Sequence, residues 1–130
     1  MTESDGVGLS RIGQIAVHAR DIERAAAFYR DKLGMKLLFQ APPNLAFFDC
    51  DGVRLMLSPA SEPEFDHASS VLYFRVENIQ EAHAALVERG VVFRDAPHLV
   101  ARLPDHELWM TFFHDSEGNT HALMSEVRGT

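Results

Sequence analysis

Apolar and polar residues follow one layout that appears twice along the chain. Residues 15–34 and 72–90 each begin with a short apolar strand, continue through a capping residue, and form an amphipathic helix that ends at a glycine. Asp21 and Asn78 are the expected N-cap residues. Apolar residues recur at helical spacing in both segments, at positions 22, 25, 26, 29 and 33 and at positions 79, 82, 86 and 87.

The part of the chain that follows each helix is also repeated. Residues 45–57 and 110–124 both read as two strands closed by a turn that contains Asp and Gly. Phe47-Phe48 in the first copy corresponds to Phe112-Phe113 in the second. Each unit is therefore predicted to run strand, helix and then three strands.

The fold class that follows is α+β, with two βαβββ modules in one domain. The first module is predicted at 11–57, a linker rich in Ser, Pro and acidic residues at 58–70, and the second module at 71–126. Residues 94–107 read as a long connection inside the second module. Two such modules bury their sheets best as a curved, mostly antiparallel cup with the helices outside, and a pocket between repeats is a usual place for a small ligand.

Composition narrows the possible partners. The chain has 130 residues, a formal net charge of −7 and no run of Lys or Arg, which argues against nucleic acid and against an anionic membrane as partners. No apolar stretch approaches the roughly 20 residues that span a bilayer. Cys50 is the only cysteine, so no disulfide can form within the chain and a reduced, cytoplasmic setting is expected.

Two stretches carry a family resemblance. "DIERAAAFYRDKLGM" (21–35) and "DSEGNTHALMSE" (115–126) resemble the helix and the final turn and strand of the vicinal oxygen chelate superfamily. That superfamily includes glyoxalase I, extradiol dioxygenases and bleomycin-resistance proteins. The resemblance covers roughly residues 11–126 and implies the duplicated cup fold. It also implies a homodimer, because members with two modules in one chain commonly pair.

The resemblance further implies where a metal ion would be held. Metal-dependent members take one ligand from each of four cup strands, and those positions fall here on Gln14, Met56, Val71 and Ala122. Val and Ala have no donor atom, and a Met thioether is too soft for ions such as Mg²⁺ or Mn²⁺. We therefore expect a member without the family metal and without another cofactor.

The acidic and histidine side chains near the end of the chain are further metal candidates. His121 is adjacent to the Ala122 position, and strand alternation points it to the helix side, where a hydrogen-bonded core histidine is expected. His114, Asp115 and Glu117 fall in the turn and are predicted to be solvated loop residues.

Alternation along the strands predicts the groups that line the cup instead. The mixture is apolar with a few polar groups and suits a small organic molecule that is anionic or aromatic. Either the arginines hold an anion or they reach solvent, and His18 is either a general base or a rim histidine. Trp109 either stacks on a flat ligand or packs in the core. The predicted ligand-binding residues are Gln14, His18, Arg54, Met56, Tyr73, Arg75, Trp109 and Ala122.

Three functions fit these residues. The first is a protein that binds a small molecule in the cup without metal. The second is a lyase or isomerase that works without metal through His18, Tyr73 or Arg75. The third is a metal-dependent glyoxalase or dioxygenase, which three of the four ligand positions disfavour because they lack a donor suited to hard cations.

Overall fold

Strands dominate the protein, and the helices are short. A computed structural model describes residues 8–41, 44–60 and 67–129. The predicted linker lies partly outside the described residues, since 61–66 are not among them. The described strands form two sheets, which together give the expected α+β fold with mostly antiparallel pairing. The predicted module boundaries stay predictions.

The first sheet has four strands in the order β1-β4-β3-β2, and only the β1–β4 pair is parallel. The helix of this unit, α1, continues beyond Ala27 as a π-helical turn, Phe28–Lys32. In this turn the Leu33 N–H donates to the Phe28 carbonyl oxygen. This wider turn places Tyr29 in the core. The elements are β1 (Gln14–His18), α1 (Ile22–Ala27), β2 (Lys36–Ala41), β3 (Leu45–Cys50) and β4 (Val53–Ser58).

The second sheet repeats this order. Its strands run β5-β9-β8-β6, with β7 also paired to β8, and the β5–β9 pair is parallel. The elements are β5 (Leu72–Arg75), α2 (Ile79–Glu88), β6 (Val92–Phe93), β7 (His98–Arg102), β8 (Glu107–His114) and β9 (Thr120–Val127). The prediction that 94–107 is only a connection was wrong, because β7 lies inside it and pairs with β8 from His98 to Arg102.

The helices begin and end where their sequences indicate. Asp21 accepts a hydrogen bond from the Arg24 N–H, and Asn78 accepts one from the Glu81 N–H, so both are N-caps. Both helices are followed by a glycine at positive φ, a conformation that a residue with a Cβ atom adopts only with strain. The predicted stripe of the second helix fails at one position, because Val87 is 48% exposed.

One hydrophobic core joins the two sheets. It is formed by the helix-facing sides of both sheets together with the buried stripes of both helices. Core residues from the first unit are Val17, Ile22, Tyr29, Phe48, Leu55 and Leu57, and those from the second unit are Ile79, Leu86, Phe113 and Leu123. Among the described residues, no helix is long and apolar enough to cross a bilayer.

Side chains, not a strand ladder, hold the two sheets together beside β1. Among the described strands, β1 and β5 do not pair. The His18 N–H donates to the Ser69 hydroxyl oxygen over 2.8 Å, and the Asn119 side-chain amide donates to the His18 carbonyl oxygen over 2.8 Å. The segment before β5 and the turn before β9 therefore both lie against the end of β1.

Candidate functional site

The side of the first sheet that faces away from the core carries the predicted cup residues. In the parallel β1–β4 pair, Gln14 lies beside Arg54, Ala16 beside Met56, and His18 beside Ser58. Cross-strand partners point to the same side of a sheet, and their neighbours Val17 and Leu55 are buried on the other side. We call this surface the first cup face; it comprises Gln14, Ala16, His18, Phe47, Arg54, Met56 and Ser58.

The second sheet has an equivalent surface at the same register. Tyr73 lies beside Ala122, Ala122 lies beside Phe112, and Arg75 lies beside Met124. In the first sheet Ala16, Met56 and Phe47 occupy the matching places. We call this surface the second cup face; it comprises Tyr73, Arg75, Phe112, Ala122 and Met124.

The four positions that hold metal in the resembling family do not fit an ion here. The Gln14 amide donates to the Met56 sulfur over 3.7 Å, so the one oxygen-bearing side chain is turned toward a thioether. Val71 has no donor atom, and Ala122 is fully buried. In the described part of the chain, no three His, Cys, Asp or Glu side chains are grouped to hold a metal ion. A divalent ion needs several hard or nitrogen donors, which these four residues do not supply.

Two aromatic rings close the second cup face over Ala122. Tyr73 and Phe112 come from the strands on either side of β9, and their rings meet edge to face with centroids 6.0 Å apart. Because Ala122 lies between them with its side chain on the same face, the rings meet above it. Aromatic side chains from both neighbouring strands therefore flank this family metal position.

Arginine side chains lie over the phenylalanine of each cup face. The Arg54 guanidinium carbon is 5.9 Å from the Phe47 ring centroid, and that of Arg94 is 5.5 Å from the Phe112 centroid. Sequence reasoning missed Phe112 and Arg94. The repeat of Phe47 at Phe112 is the signal that could have found the first of them.

The final turn, residues 115–119, holds the two units together. Asp115 is buried, and its Oδ2 accepts from the Tyr29 hydroxyl over 2.7 Å and from the Asn119 side-chain amide over 2.8 Å. Its Oδ1 accepts from the backbone N–H groups of Glu117 and Asn119. Glu117 accepts from the Arg20 N–H and pairs with the Arg24 guanidinium over 2.6 Å.

The prediction that these turn residues are solvated was therefore wrong for Asp115 and Glu117. Asp115 is only 7% exposed, and the Glu117 side chain is equally covered. Their partners Tyr29, Arg20 and Arg24 lie far away in the sequence, so nothing local indicated the contacts. His114 is exposed, as expected.

His121 is a core histidine, as alternation predicted. It is fully buried, and its Nε2 lies 2.7 Å from the Tyr29 hydroxyl oxygen. Because that hydroxyl donates its proton to Asp115, the His121 Nε2–H is the donor in this contact. Its Nδ1 is buried without a hydrogen-bond partner. Burial lowers the pKa of His121, against the opposing effect of the Asp115 carboxylate, and burial likewise raises the pKa of Tyr29.

The buried His121 is expected to make stability depend on pH. An unfolded histidine takes up a proton below a pKa of about 6.5, whereas the folded one resists it. The free energy of unfolding should therefore fall as pH drops through this range, by up to about 1.4 kcal/mol per pH unit. Urea unfolding at several pH values between 7.5 and 5 measures the slope. The unfolding free energy of His121→Gln should depend less on pH. An equal pH dependence in both proteins would show that His121 is not its source.

Two predicted ligand-binding residues have other partners in the structure. Trp109 lies beside Ser125, which is fully buried, and its ring packs against the core on the side away from Ala122. We therefore leave Trp109 out of the cup faces. Arg75 lies on the second cup face, but its guanidinium pairs with Glu126 over 3.1 Å near the strand end.

Two adjoining cavities open at the end of the first cup face. One, of about 360 Å³, reaches over the face itself, and the other, of about 540 Å³, lies toward the start of α1; both are lined by His18 and His67. Further residues of the first are Ala16, Val17, Met56, Ser58, Pro59, Ala60, Ser69 and Ser70. Further residues of the second are Arg20, Asp21, Arg24, Ala68, Glu117, Gly118 and Asn119.

A duplicated βαβββ fold with an open face on each sheet defines a class of proteins that bind or transform small molecules. Comparison with known families agrees: the family described as the Glyoxalase/Bleomycin resistance protein/Dioxygenase superfamily matches residues 11–123. The chain belongs to this superfamily.

Individual relatives are similar over nearly the whole chain. A "glyoxylase-like domain-containing protein" of Didymella fabae is 30% identical in an alignment 124 positions long, which covers 87% of this chain and 91% of that protein. The crystal structure of TnmS3, an antibiotic binding protein from a Streptomyces species, superposes with a TM-score of 0.75 at 25% identity, over 92% of this chain and 98% of its own. A lactoylglutathione lyase from Agrobacterium tumefaciens superposes with a TM-score of 0.67 at 24% identity, over 89% and 93% of the two chains, which shows the shared fold.

Proposed function

We propose that this protein binds a small organic molecule, anionic or aromatic, on its cup faces without a metal ion. The observation that supports this most is the state of the family metal positions, where Ala122 lies buried under the Tyr73–Phe112 ring contact. A surface that has lost its donors but kept exposed aromatic and cationic groups suits an organic ligand better than an ion. TnmS3, a relative in fold, is an antibiotic binding protein.

Each proposed contact has a physical role. Tyr73 is 48% exposed and offers a ring face or edge for stacking. Arg54, which has no carboxylate partner among the described residues, offers two parallel N–H donors for an anionic group. His18 and Gln14 offer further polar contacts, Met56 and Ala122 give the apolar floor, and Arg75 is a weaker candidate because Glu126 already engages it.

A metal-free lyase or isomerase is the second candidate. It is favoured by the position of His18, which lines both cavities at the end of the first cup face. A histidine within hydrogen-bond reach of a bound ligand can act as a general base. If His18→Gln abolishes the turnover of a bound compound but leaves its binding intact, the result would favour an enzyme over a simple binding protein.

A homodimer is part of the proposal. Apolar side chains on the outer strands stay exposed, among them Phe39 on β2 at 51% and Val100 on β7 at 48%. Pairing with a second copy of the chain would bury such side chains. Sedimentation equilibrium measures the oligomeric state. A cytoplasmic setting stays a prediction.

Thermal stabilisation tests the proposed binding. A ligand that binds only the folded chain raises the melting temperature in proportion to its occupancy. We expect stabilisation by members of a panel of aromatic and carboxylate compounds, and affinity about three- to tenfold weaker for Tyr73→Ala because the stacking contact is lost.

The matched control for Tyr73→Ala is Val87→Ala. Both side chains are 48% exposed, but Val87 lies on the outer side of α2. We expect Val87→Ala to bind as the parent chain does. A panel in which no organic compound stabilises the protein, while one metal ion does, would contradict the proposal.

A further inference from the structure

The smaller cavity at the end of the first cup face is walled by polar groups on one side and apolar groups on the other. Its volume is about 360 Å³, which is within the range of small-molecule sites. Ala16 and Met56 form part of the apolar wall and continue into the open cup face. The polar wall includes His18, His67 and Ser69.

The contact between Ser69 and β1 fixes the polar wall. The Ser69 hydroxyl oxygen accepts from the His18 N–H over 2.8 Å, which uses the free edge of β1. An oxygen that accepts in this way still has its own proton to donate, and that proton has no acceptor among the described residues. The hydroxyl of Ser58 likewise makes no hydrogen bond in the described part of the chain. Two hydroxyl donors therefore border one cavity, and neither has an acceptor in the part of the chain that the structure describes.

The imidazole of His67 adds a ring nitrogen to the polar wall. Its Nδ1 lies 3.0 Å from the Ala68 carbonyl oxygen, which can only accept, so Nδ1 carries a proton. The Nε2 atom remains for contact with a ligand.

The adjoining cavity carries charges of both signs, from Arg20 and Arg24 and from Asp21 and Glu117. It shares His18 and His67 and also reaches Arg20 and Arg24. Glu117 neutralises Arg24 over 2.6 Å, whereas Arg20 has no carboxylate partner among the described residues. No described residue of the smaller cavity is acidic, although acidic residues outnumber basic ones 19 to 12 in the whole chain. Arg20 therefore gives the adjoining cavity one guanidinium that no described carboxylate engages, which favours an anionic ligand group.

We propose that this cavity binds the carboxylate of a small organic acid, with the apolar body of that acid lying over Met56 and Ala16. The inference rests on the proposed binding function and names its ligand class and the end of the cup that selects it. His67 and Ser69, which lie in the connection between the two sheets, become specificity-determining residues.

Titration of the isotope-labelled full chain with 2-naphthoate and with its neutral amide, 2-naphthamide, tests the inference by nuclear magnetic resonance. We expect 2-naphthoate to shift the backbone signals of Ala16, His18, Met56 and Ser69 and to bind about tenfold more tightly than the amide, since one charged hydrogen-bonded contact distinguishes them. His67→Leu and Ser69→Ala should each weaken naphthoate binding about five- to tenfold and change amide binding by less than about twofold.

Two controls keep the result interpretable. His98→Leu replaces an exposed histidine on β7 that does not line this cavity, and it should bind both probes as the parent chain does. Ser69→Ala removes the acceptor of the His18 N–H and with it a contact that holds the segment before β5. His67→Leu removes an exposed ring whose one hydrogen bond among the described residues is to the neighbouring Ala68. His67→Leu is therefore the deciding variant.

The possible outcomes separate this inference from the proposed function. Equal affinity for naphthoate and naphthamide, or shifts confined to the second cup face around Tyr73, would overturn the carboxylate site and leave the proposed binding function intact. Absence of binding by both probes would contradict the carboxylate site; stabilisation by the wider compound panel would then decide the proposed function independently.

Discussion

Replacing Asp115 by alanine is expected to lower the free energy of unfolding by about 3–5 kcal/mol. The carboxylate accepts four hydrogen bonds, from the Tyr29 hydroxyl, the Asn119 side chain and the backbone N–H groups of Glu117 and Asn119. Its removal leaves these donors without an acceptor in a site that is almost fully covered. Urea unfolding followed by circular dichroism measures the loss.

A matched control for Asp115→Ala is Asp31→Ala. Asp31 is exposed and pairs only with its neighbour Arg30. Its replacement should leave the urea midpoint unchanged, since exposed ion pairs contribute little. Asp115→Asn, which keeps the size and one acceptor oxygen, should fall between the parent chain and Asp115→Ala. Equal midpoints for Asp115→Ala and Asp31→Ala would show that the turn does not hold the two units together.

Placing a carboxylate at Ala122, one of the four family metal positions, is expected to destabilise the fold. Ala122→Glu places a charged group in a fully buried position between Tyr73 and Phe112. Burying a charge is costly, and the nearby Arg94 guanidinium is already engaged over the Phe112 ring. We therefore expect a cost of about 2–4 kcal/mol in the free energy of unfolding, measured by urea titration at neutral pH.

Ala16→Glu is the control for this substitution. Ala16 also lies on a cup face, beside Met56, but it is exposed. Its replacement should change the unfolding free energy by less than about 0.5 kcal/mol. If Ala122→Glu proved as mild as Ala16→Glu, the ring contact over Ala122 would not be the barrier described above.

Local patterns predicted the repeated fold because the signals that set it are local. The caps at Asp21 and Asn78 depend on their own side chains and on residues three positions away. Strand alternation placed Gln14, Met56, Tyr73 and their cross-strand partners on the cup faces. Side chains alternate between the two sides of a strand, so one known residue fixes the side of all the others.

The parts of the site that escaped prediction depend on contacts between distant segments. The burial of Asp115 requires Tyr29 from the other unit, and a sequence window around Asp115 contains no sign of it. The role of Ser69 follows from the path of the connection along β1, which no propensity determines. Trp109 was ambiguous because an aromatic residue at the start of a strand suits either face, and only its register beside Ser125 resolves the choice.

The metal content of the purified full chain tests the central claim most directly. After incubation with excess Zn²⁺, Ni²⁺, Mn²⁺ or Fe²⁺ and removal of unbound ions, inductively coupled plasma mass spectrometry counts the ions retained. Because Gln14, Met56, Val71 and Ala122 lack the necessary donors, we predict retention far below one ion per chain and no rise in melting temperature. One ion held per chain, with the side-chain amide of Gln14 shifted on binding, would contradict the account.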